Sequence, residues 1–409
     1  MLNNINPSGT VKGFFAASLS THEPDYFYAW VRDSALVARV LYGIQRNTED
    51  ILYDYTVFQS NIQNTQTVCN CLGEPKFNPN GTGYVGNWGR PQNDGPAERA
   101  IVMLQIASSS PYQYNEFLNT TIIPMILRDL YYIVSVWEQP CYDLWEEIEG
   151  VHFYTLMVMR RALLDGANYF HSHEVNVFLE TAENIRHRIE SFWDPAKNYV
   201  MATQDIRNGV EKASGLDAST LLAVNLASRD DGFFTPGSDK ILATAARLES
   251  EFAHLFPINL KNNNNNNMDL GTAIGRYPED IYDGYRTSIG NPWFLTTAGY
   301  AELYYLAAHE FQKNGVTINK INRAFFAKVG NDKLGEYKVG SAELERVVQK
   351  TRQAGDRFLK TIQYHQNQNG SMSEQFDRND GFMKGARDLT WSHAAFLAAI
   401  AARSGTPID

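Results

Sequence analysis

Glu146 lies beside Trp145 in the stretch YDLWEEIEG at 142–150, and Glu374 follows Ser371 and Ser373 in GSMSEQFD at 370–377. Two carboxyls in such surroundings suit the cleavage of a glycosidic bond. One, as the acid, protonates the leaving oxygen; the other, as carboxylate, activates water across the sugar ring. Apolar neighbours such as Leu144 and Trp145, and a second carboxylate such as Glu147, favour the protonated form that donation needs. The bland alternative for Glu146, Glu147 and Glu149 is a solvated helix start, where acids are favoured.

Two further segments carry groups that can grip a sugar. DYFYAWVRDSALV at 25–37 concentrates aromatics before Arg32 and Asp33, which precede the apolar face Ala35–Leu41 and so fall at the open end of a helix. A donor and an acceptor side by side there can fix two neighbouring hydroxyls. GRYPEDIYDG at 275–284 groups Arg276, Glu279 and Asp280 with Tyr277 and Tyr282 around a proline, a pattern that in isolation reads as a structural loop. Trp88, on a glycine-flanked loop near Arg90, Gln92 and Asp94, is a flat surface on which a sugar can stack.

Other patterns are decoys. GTGYVG at 81–86 matches GxGxxG, but Pro75, Pro79, Gly89 and Pro91 surround it where a phosphate-binding turn needs a strand and a helix. His171 and His173 have no third ligand within reach, and there is no HExxH or GxSxG. No metal or organic cofactor is expected. Cys69, Cys71 and Cys141 form neither a disulfide framework nor a CxxC site, and are read as free thiols. Sequons at Asn80, Asn119 and Asn369 pull weakly toward secretion.

The elements that must position these groups are helices. Helical patterns are read near 32–46, 49–66, 96–108, 115–137, 153–170, 173–193, 217–227, 239–256, 292–314, 341–366 and 389–403. In the fourth, Leu118, Ile122, Met125, Ile126, Asp129 and Tyr132 follow amphipathic spacing, with Asp129 the polar exception. Pro96 opens the third as a first-turn proline. No segment alternates with period two for long, so a large sheet is not expected. The asparagine run Asn262–Asn267 reads as a low-complexity loop. The class is all-α, with the motifs on loops that gather at one end.

At 409 residues, 44% of them hydrophobic, the chain can bury a large core. Its net charge of −10 comes without a basic stripe, which argues against nucleic acid. The longest apolar run, Ala394–Ala402, is far short of a membrane span. MLNNINPSGTVKG lacks the pattern of a signal peptide, which points to an intracellular or vacuolar protein if the start is genuine and to a secreted one if it is not.

DYFYAWVRD, LGEPKF, WGRPQNDGPAERA, YDLWEE, GRYPED, GNPWFL, SMSEQFD and ARDLTWSHAA, in this order between about residues 18 and 403, resemble the motifs of the glucoamylases of glycoside hydrolase family 15. The resemblance implies an (α/α)6 barrel, a six-hairpin toroid here lacking most of its first helix, with 1–409 a single catalytic domain and no starch-binding domain. It implies an inverting exo-hydrolase that takes terminal α-1,4-linked glucose, and α-1,6-linked glucose more slowly, from starch, glycogen or maltooligosaccharides and releases β-glucose. Glu146 corresponds to the general acid and Glu374 to the general base. Arg32, Asp33 and Arg276, with the backbone of Leu144 and Trp145, would hold the terminal glucose, and Tyr26 would help place the water. Trp30, Trp88, Tyr282, Trp293 and Trp391 would line the pocket, and Glu147 would reach the next sugar. An inverting pair leaves room for water, with carboxyls roughly 6.5–9.5 Å apart. The expected partner is the glucan alone, with no nucleic acid and no membrane, and the chain is expected to act as a monomer. Two rivals stay in view: a related (α/α)6 hydrolase of another α-glucoside, such as a glucodextran or trehalose, and a non-catalytic glucan-binding protein on the same fold.

Overall fold

Asp129, the polar exception on an apolar helix face, is fully buried and takes two hydrogen bonds from Arg99, Nε to Oδ2 at 2.8 Å and Nη2 to Oδ1 at 2.6 Å. A carboxylate and a guanidinium satisfied in this two-pronged way can both leave water, although neither could alone. The computed structural model in which this is seen describes residues 1–44, 48–109, 115–171, 174–264 and 269–409. The chain divides into two compact units.

The first unit comprises Met1–Ser191, Thr203–Val210 and Ile408–Asp409. Its helices are α1 (Val31–Ile44), α2 (Glu49–Gln63), α3 (Asp94–Ser108), α4 (Ile123–Val136), α5 (Phe153–Tyr169) and α6 (Glu174–Glu190). α3 is buried almost all round, and packs on α1, α4 and α5; α5 also packs on α6. Such enclosed helices carry apolar residues on every side rather than in one stripe. α4 starts later than its amphipathic spacing predicts, behind a wide π-type turn at Leu118–Ile122. Pro124, near the start of α4, has no N–H to bond the preceding turn, and the wide turn absorbs that loss.

Short strands tie the loops of this unit down. β1 (Ala29–Trp30) pairs with β2 (Lys76–Phe77), so that Trp30 stands opposite Lys76. β3 (Cys141–Tyr142) and β4 (Ile148–His152) form a hairpin, extended by the strand Thr203–Gly209. His152 holds that small sheet together, one ring nitrogen 2.8 Å from the Cys141 carbonyl and the other 3.0 Å from Thr203 Oγ1. The polar segment TQDIRNG shows no alternation, which is why its strand was not foreseen.

The second unit comprises Phe192–Ala202 and Glu211–Pro407. It contains α7 (Ser219–Ala227), α8 (Asp239–Leu255), α9 (Pro257–Asn264), α10 (Phe294–Asn314), α11 (Arg323–Lys328), α12 (Ala342–His365) and α13 (Thr390–Ser404). α10 is the enclosed helix here, packed against α7, α12 and α13. α12 is amphipathic, burying Leu344, Val347, Val348, Thr351, Phe358 and Ile362 on one face. The short helices α9 and α11 were not expected, because neither is long enough to show apolar periodicity.

One expectation is overturned. Cys69 and Cys71 are joined in a disulfide, and only Cys141 is a free, buried thiol. Spacing alone misled here, because the turn at Asn70, with φ +48°, brings the flanking cysteines together. The expected helix ends at 45–46 and 173, Ser172 and His173 of the histidine pair, and Asn265–Asn267 of the asparagine run lie outside the described residues.

Candidate active site

The segment carrying Glu146 is a hairpin turn between β3 and β4 rather than a helix start. Asp143 builds the turn: its Oδ1 accepts from the backbone N–H of Glu147 at 2.7 Å and of Ile148 at 3.0 Å, while its carbonyl accepts from Glu146 N. Glu146 adopts φ +68°, a region that costs a non-glycine residue about 1–3 kcal/mol and persists only where surroundings impose it. Gly209 lets the neighbouring strand come close, since a Cβ there would fall 2.1 Å from the Glu147 carbonyl oxygen.

Glu146 Oε1 accepts from Trp30 Nε1 at 2.6 Å and from Gln92 Nε2 at 2.9 Å, with Arg32 Nη2 3.9 Å away. These donors secure one oxygen and leave Oε2 as the place for a proton. Arg32 is itself fixed, Nη1 donating to Gln92 Oε1 and Asp94 Oδ2, both at 3.0 Å. Asp33 lies beside it, its Oδ2 3.4 Å from Arg32 Nε. Burial pushes the Asp33 carboxyl up to about 6, against the pull of Arg32, and Glu146 and Asp94 add to the rise. Leu144 and Trp145 are buried, as flanking residues of a shielded turn should be.

Lys76 is the residue that sequence reasoning missed. It is only 2% exposed, and its Nζ lies 3.3 Å from the ring centre of Trp88, 4.2 Å from Tyr84, 4.4 Å from Tyr28 and 4.7 Å from Trp30. An ammonium surrounded by ring faces is held by their quadrupoles, about 2 kcal/mol where desolvated. Burial lowers its pKa to about 8, opposed by Glu146. Tyr26 packs against Trp30 with ring centres 5.5 Å apart, and Trp30 lies edge-on to Trp88 at 6.3 Å. Arg90 secures the loop beneath Trp88: it pairs with Glu74 at 2.7 and 2.9 Å and donates to the carbonyls of Tyr84, Gly86 and Trp88. Among the described residues the buried Trp88 Nε1 has no acceptor, an indole donor left unsatisfied within the protein.

The second unit holds the other carboxylate. Glu374 is 1% exposed; its N–H donates to the Ala386 carbonyl, its carbonyl accepts from Phe294 N, and its Oε2 accepts from Gln375 Nε2 at 3.2 Å. Gln375 is oriented in turn by Asn291, whose Nδ2 donates to Gln375 Oε1 at 2.9 Å. Gly385 makes the space: a Cβ there would lie 2.5 Å from Glu374 Oε2, and its φ is +74°. The neighbouring GRYPED loop is a built structure, with Arg276 bonded to Asp280 through both Nε and Nη2, at 2.8 and 2.7 Å. Its guanidinium carbon sits 5.1 Å from the Trp293 ring and 5.4 Å from Tyr282. Trp293 bridges to Gln375, and Trp391 opens α13 as a buried residue.

Thus Tyr26, Trp30, Arg32, Asp33, Trp88, Leu144, Trp145, Glu146 and Glu147 belong to one unit, and Arg276, Tyr282, Trp293, Glu374 and Trp391 to the other. Asp143, Gln92, Asp94, Asn291, Gln375 and Gly385 support them without having been named as site residues. Their signal was adjacency to chemistry-bearing motifs; Lys76 offered only a cation between Pro75 and Phe77.

The comparisons with known proteins agree with this chemistry. A family model described as "Glycosyl hydrolases family 15" matches residues 1–401. "Glucoamylase 1" of Rhizopus oryzae is 50% identical, over 100% of this chain and 69% of its own length. "Glucoamylase" of Blastobotrys adeninivorans is 37% identical, over 98% and 69%. Among solved structures, the family 15 glucoamylase of Hypocrea jecorina superposes with a TM-score of 0.89 at 32% identity, covering 100% of this chain and 70% of that one. The glucoamylase of Saccharomycopsis fibuligera gives 0.88 at 30%, covering 99% and 92%. Fold and site define a glycoside hydrolase of the all-α, (α/α)6 barrel class. The chain belongs to glycosyl hydrolase family 15.

Proposed function

We propose that Glu146 is the general acid and Glu374 the general base of an inverting reaction that releases β-glucose, within one catalytic domain formed by 1–409. The activity itself is exo-hydrolysis of α-glucan with release of glucose, that of a glucan 1,4-alpha-glucosidase, on starch or its oligosaccharides. Glycogen is proposed as a further substrate, α-1,6 bonds as slower ones, and the monomer as the working form.

The observation that carries the acid assignment is the division of labour on Glu146. Trp30 and Gln92 hold Oε1, which leaves Oε2 as the oxygen that can face the leaving group and pass a proton to it. Glu374 supports the base role by being buried, oriented through Gln375 and ringed by backbone that fixes its position. Arg32, Asp33 and Arg276 bind the terminal glucose through its hydroxyls, with the Leu144 and Trp145 backbone assisting. Trp30, Trp88, Tyr282, Trp293 and Trp391 shape the apolar walls, Glu147 serves the next sugar, and Tyr26 orients the water. The reacting water enters across the ring from the leaving oxygen, which inverts the anomeric carbon.

Proton NMR of maltotriose hydrolysis tests this. β-Glucose is expected first, followed by mutarotation; α-glucose first would overturn both carboxylate roles.

A further inference from the structure

We propose a second glucan-binding site on the first unit, on the outer face of α4, that grips a chain segment without cleaving it. Arg128, Tyr131 and Ser135 follow one another at helical spacing along α4 and form one wall of a surface cavity of about 630 Å³. The loop after α2, with Asn64, Gln66 and Asn70, forms the other wall. Arg128 donates to Asn64 Oδ1 across it, which couples the walls.

The lining selects the ligand. Apart from Cys71 and Leu72 it consists of amides, hydroxyls, two tyrosines and a single guanidinium, with no carboxylate. An ion or a charged peptide would find almost no complementary charge there. A neutral polyol needs what is present: paired donors and acceptors beside an aromatic ring. Tyr131 is 45% exposed, and its ring packs against Phe178, ring centres 5.4 Å apart at 60°. Among the described residues the side-chain amides of Gln66 and Asn70 make no hydrogen bond within the protein and are exposed.

The rim is preorganised. The Cys69–Cys71 disulfide brackets Asn70, which stands at φ +48°, and so restrains the backbone that carries the Asn70 amide. A backbone restrained in advance reduces the ordering cost of binding. A cavity of this size is in the range of small-ligand sites, about 300–1,000 Å³. By contrast, the cavity along the hairpin Val316–Ile318/Gly335–Tyr337 is lined by Lys333, Lys338, Arg346 and Lys350 with Glu336 and Glu343, a setting for ions rather than sugars.

The test is calorimetric titration with β-cyclodextrin, a glucosyl ring that has no chain end for an exo-hydrolase to take. The unmodified chain is expected to bind it; Tyr131→Ala should weaken binding at least tenfold, and Gln66→Ala several-fold. Both variants should keep maltotriose kcat/KM within twofold while digesting granular starch more slowly. Three results would overturn the proposal: no β-cyclodextrin binding by the unmodified chain, binding unchanged in both variants, or loss of maltotriose turnover in step with binding. Maltotriose turnover by the unmodified chain reports separately on the catalytic reading.

Discussion

The two carboxylates live in opposite kinds of surroundings. Glu146 sits on a turn, with a left-handed backbone and only partly buried, among a guanidinium, a caged ammonium and indole rings. Glu374 is 1% exposed and is positioned by neutral amides and close-packed glycine backbone. A group that must give up and regain a proton needs one oxygen anchored and the other open. A group that must only take a proton from water needs orientation above all, and rigid neutral neighbours supply it.

That contrast can be broken in order of expected effect. Glu146→Gln and Glu374→Gln should each lower kcat on maltotriose by about 10²–10⁴-fold or more. On α-glucosyl fluoride, whose leaving group needs little protonation, Glu146→Gln should recover most of its rate and Glu374→Gln none. Recovery in the opposite variant would exchange the roles. Next, Gly385→Ala places a methyl 2.5 Å from Glu374 Oε2 on a backbone at φ +74°. A base displaced on the order of 1 Å should cost roughly 100-fold in kcat, with KM nearly unchanged; an equal rise in KM would mean that the glycine shapes the binding pocket instead. Lys76→Met removes the charge from the aromatic box, and a loss of about tenfold in kcat/KM is expected, equivalent to ~1.4 kcal/mol. Indole fluorescence should shift with it, since Trp30 and Trp88 lose their common neighbour.

The smallest effect is on stability. Asp33 titrates near 6 in the folded chain against 3.8 in the unfolded one, chiefly because it is buried. The folded state therefore binds this proton at higher pH, so the group costs stability above 6. That cost disappears as the pH falls from 6 through 3.8. The Tm difference between Asp33→Asn and the unmodified chain should be more favourable to the variant at pH 7 than at pH 3.8. A difference independent of pH would mean that Asp33 titrates normally.

Much of the helical framework could be read from spacing: the eleven expected helices are all present, several with ends shifted by one to three residues and the fourth by a π-type turn at its start. Apolar periodicity is a local property, and long helices repeat it enough times to be unmistakable. The strand Thr203–Gly209 and the helices α9 and α11 escaped because they are too short or too polar to carry a period. Cys69–Cys71 escaped because a disulfide depends on turn geometry rather than on count. Of the site, Glu146, Arg32, Asp33 and Arg276 stood out because a charged residue among aromatics is a local anomaly, and Glu374 because it follows Ser371 and Ser373. Lys76 did not, for its cage is assembled from Tyr28, Trp30, Tyr84 and Trp88 across two strands and a loop.

The sequence by itself determined the all-α class, the ordered motifs and the pair of carboxylates, since each is written in residue types and short-range spacing. Only the tertiary structure decided which oxygen of Glu146 is anchored, why Gly385 must be glycine and where Lys76 places its charge. Those depend on distances between residues that only the folded chain brings together. Such distances are set by packing and by buried polar groups finding partners, and neither is encoded in any one stretch.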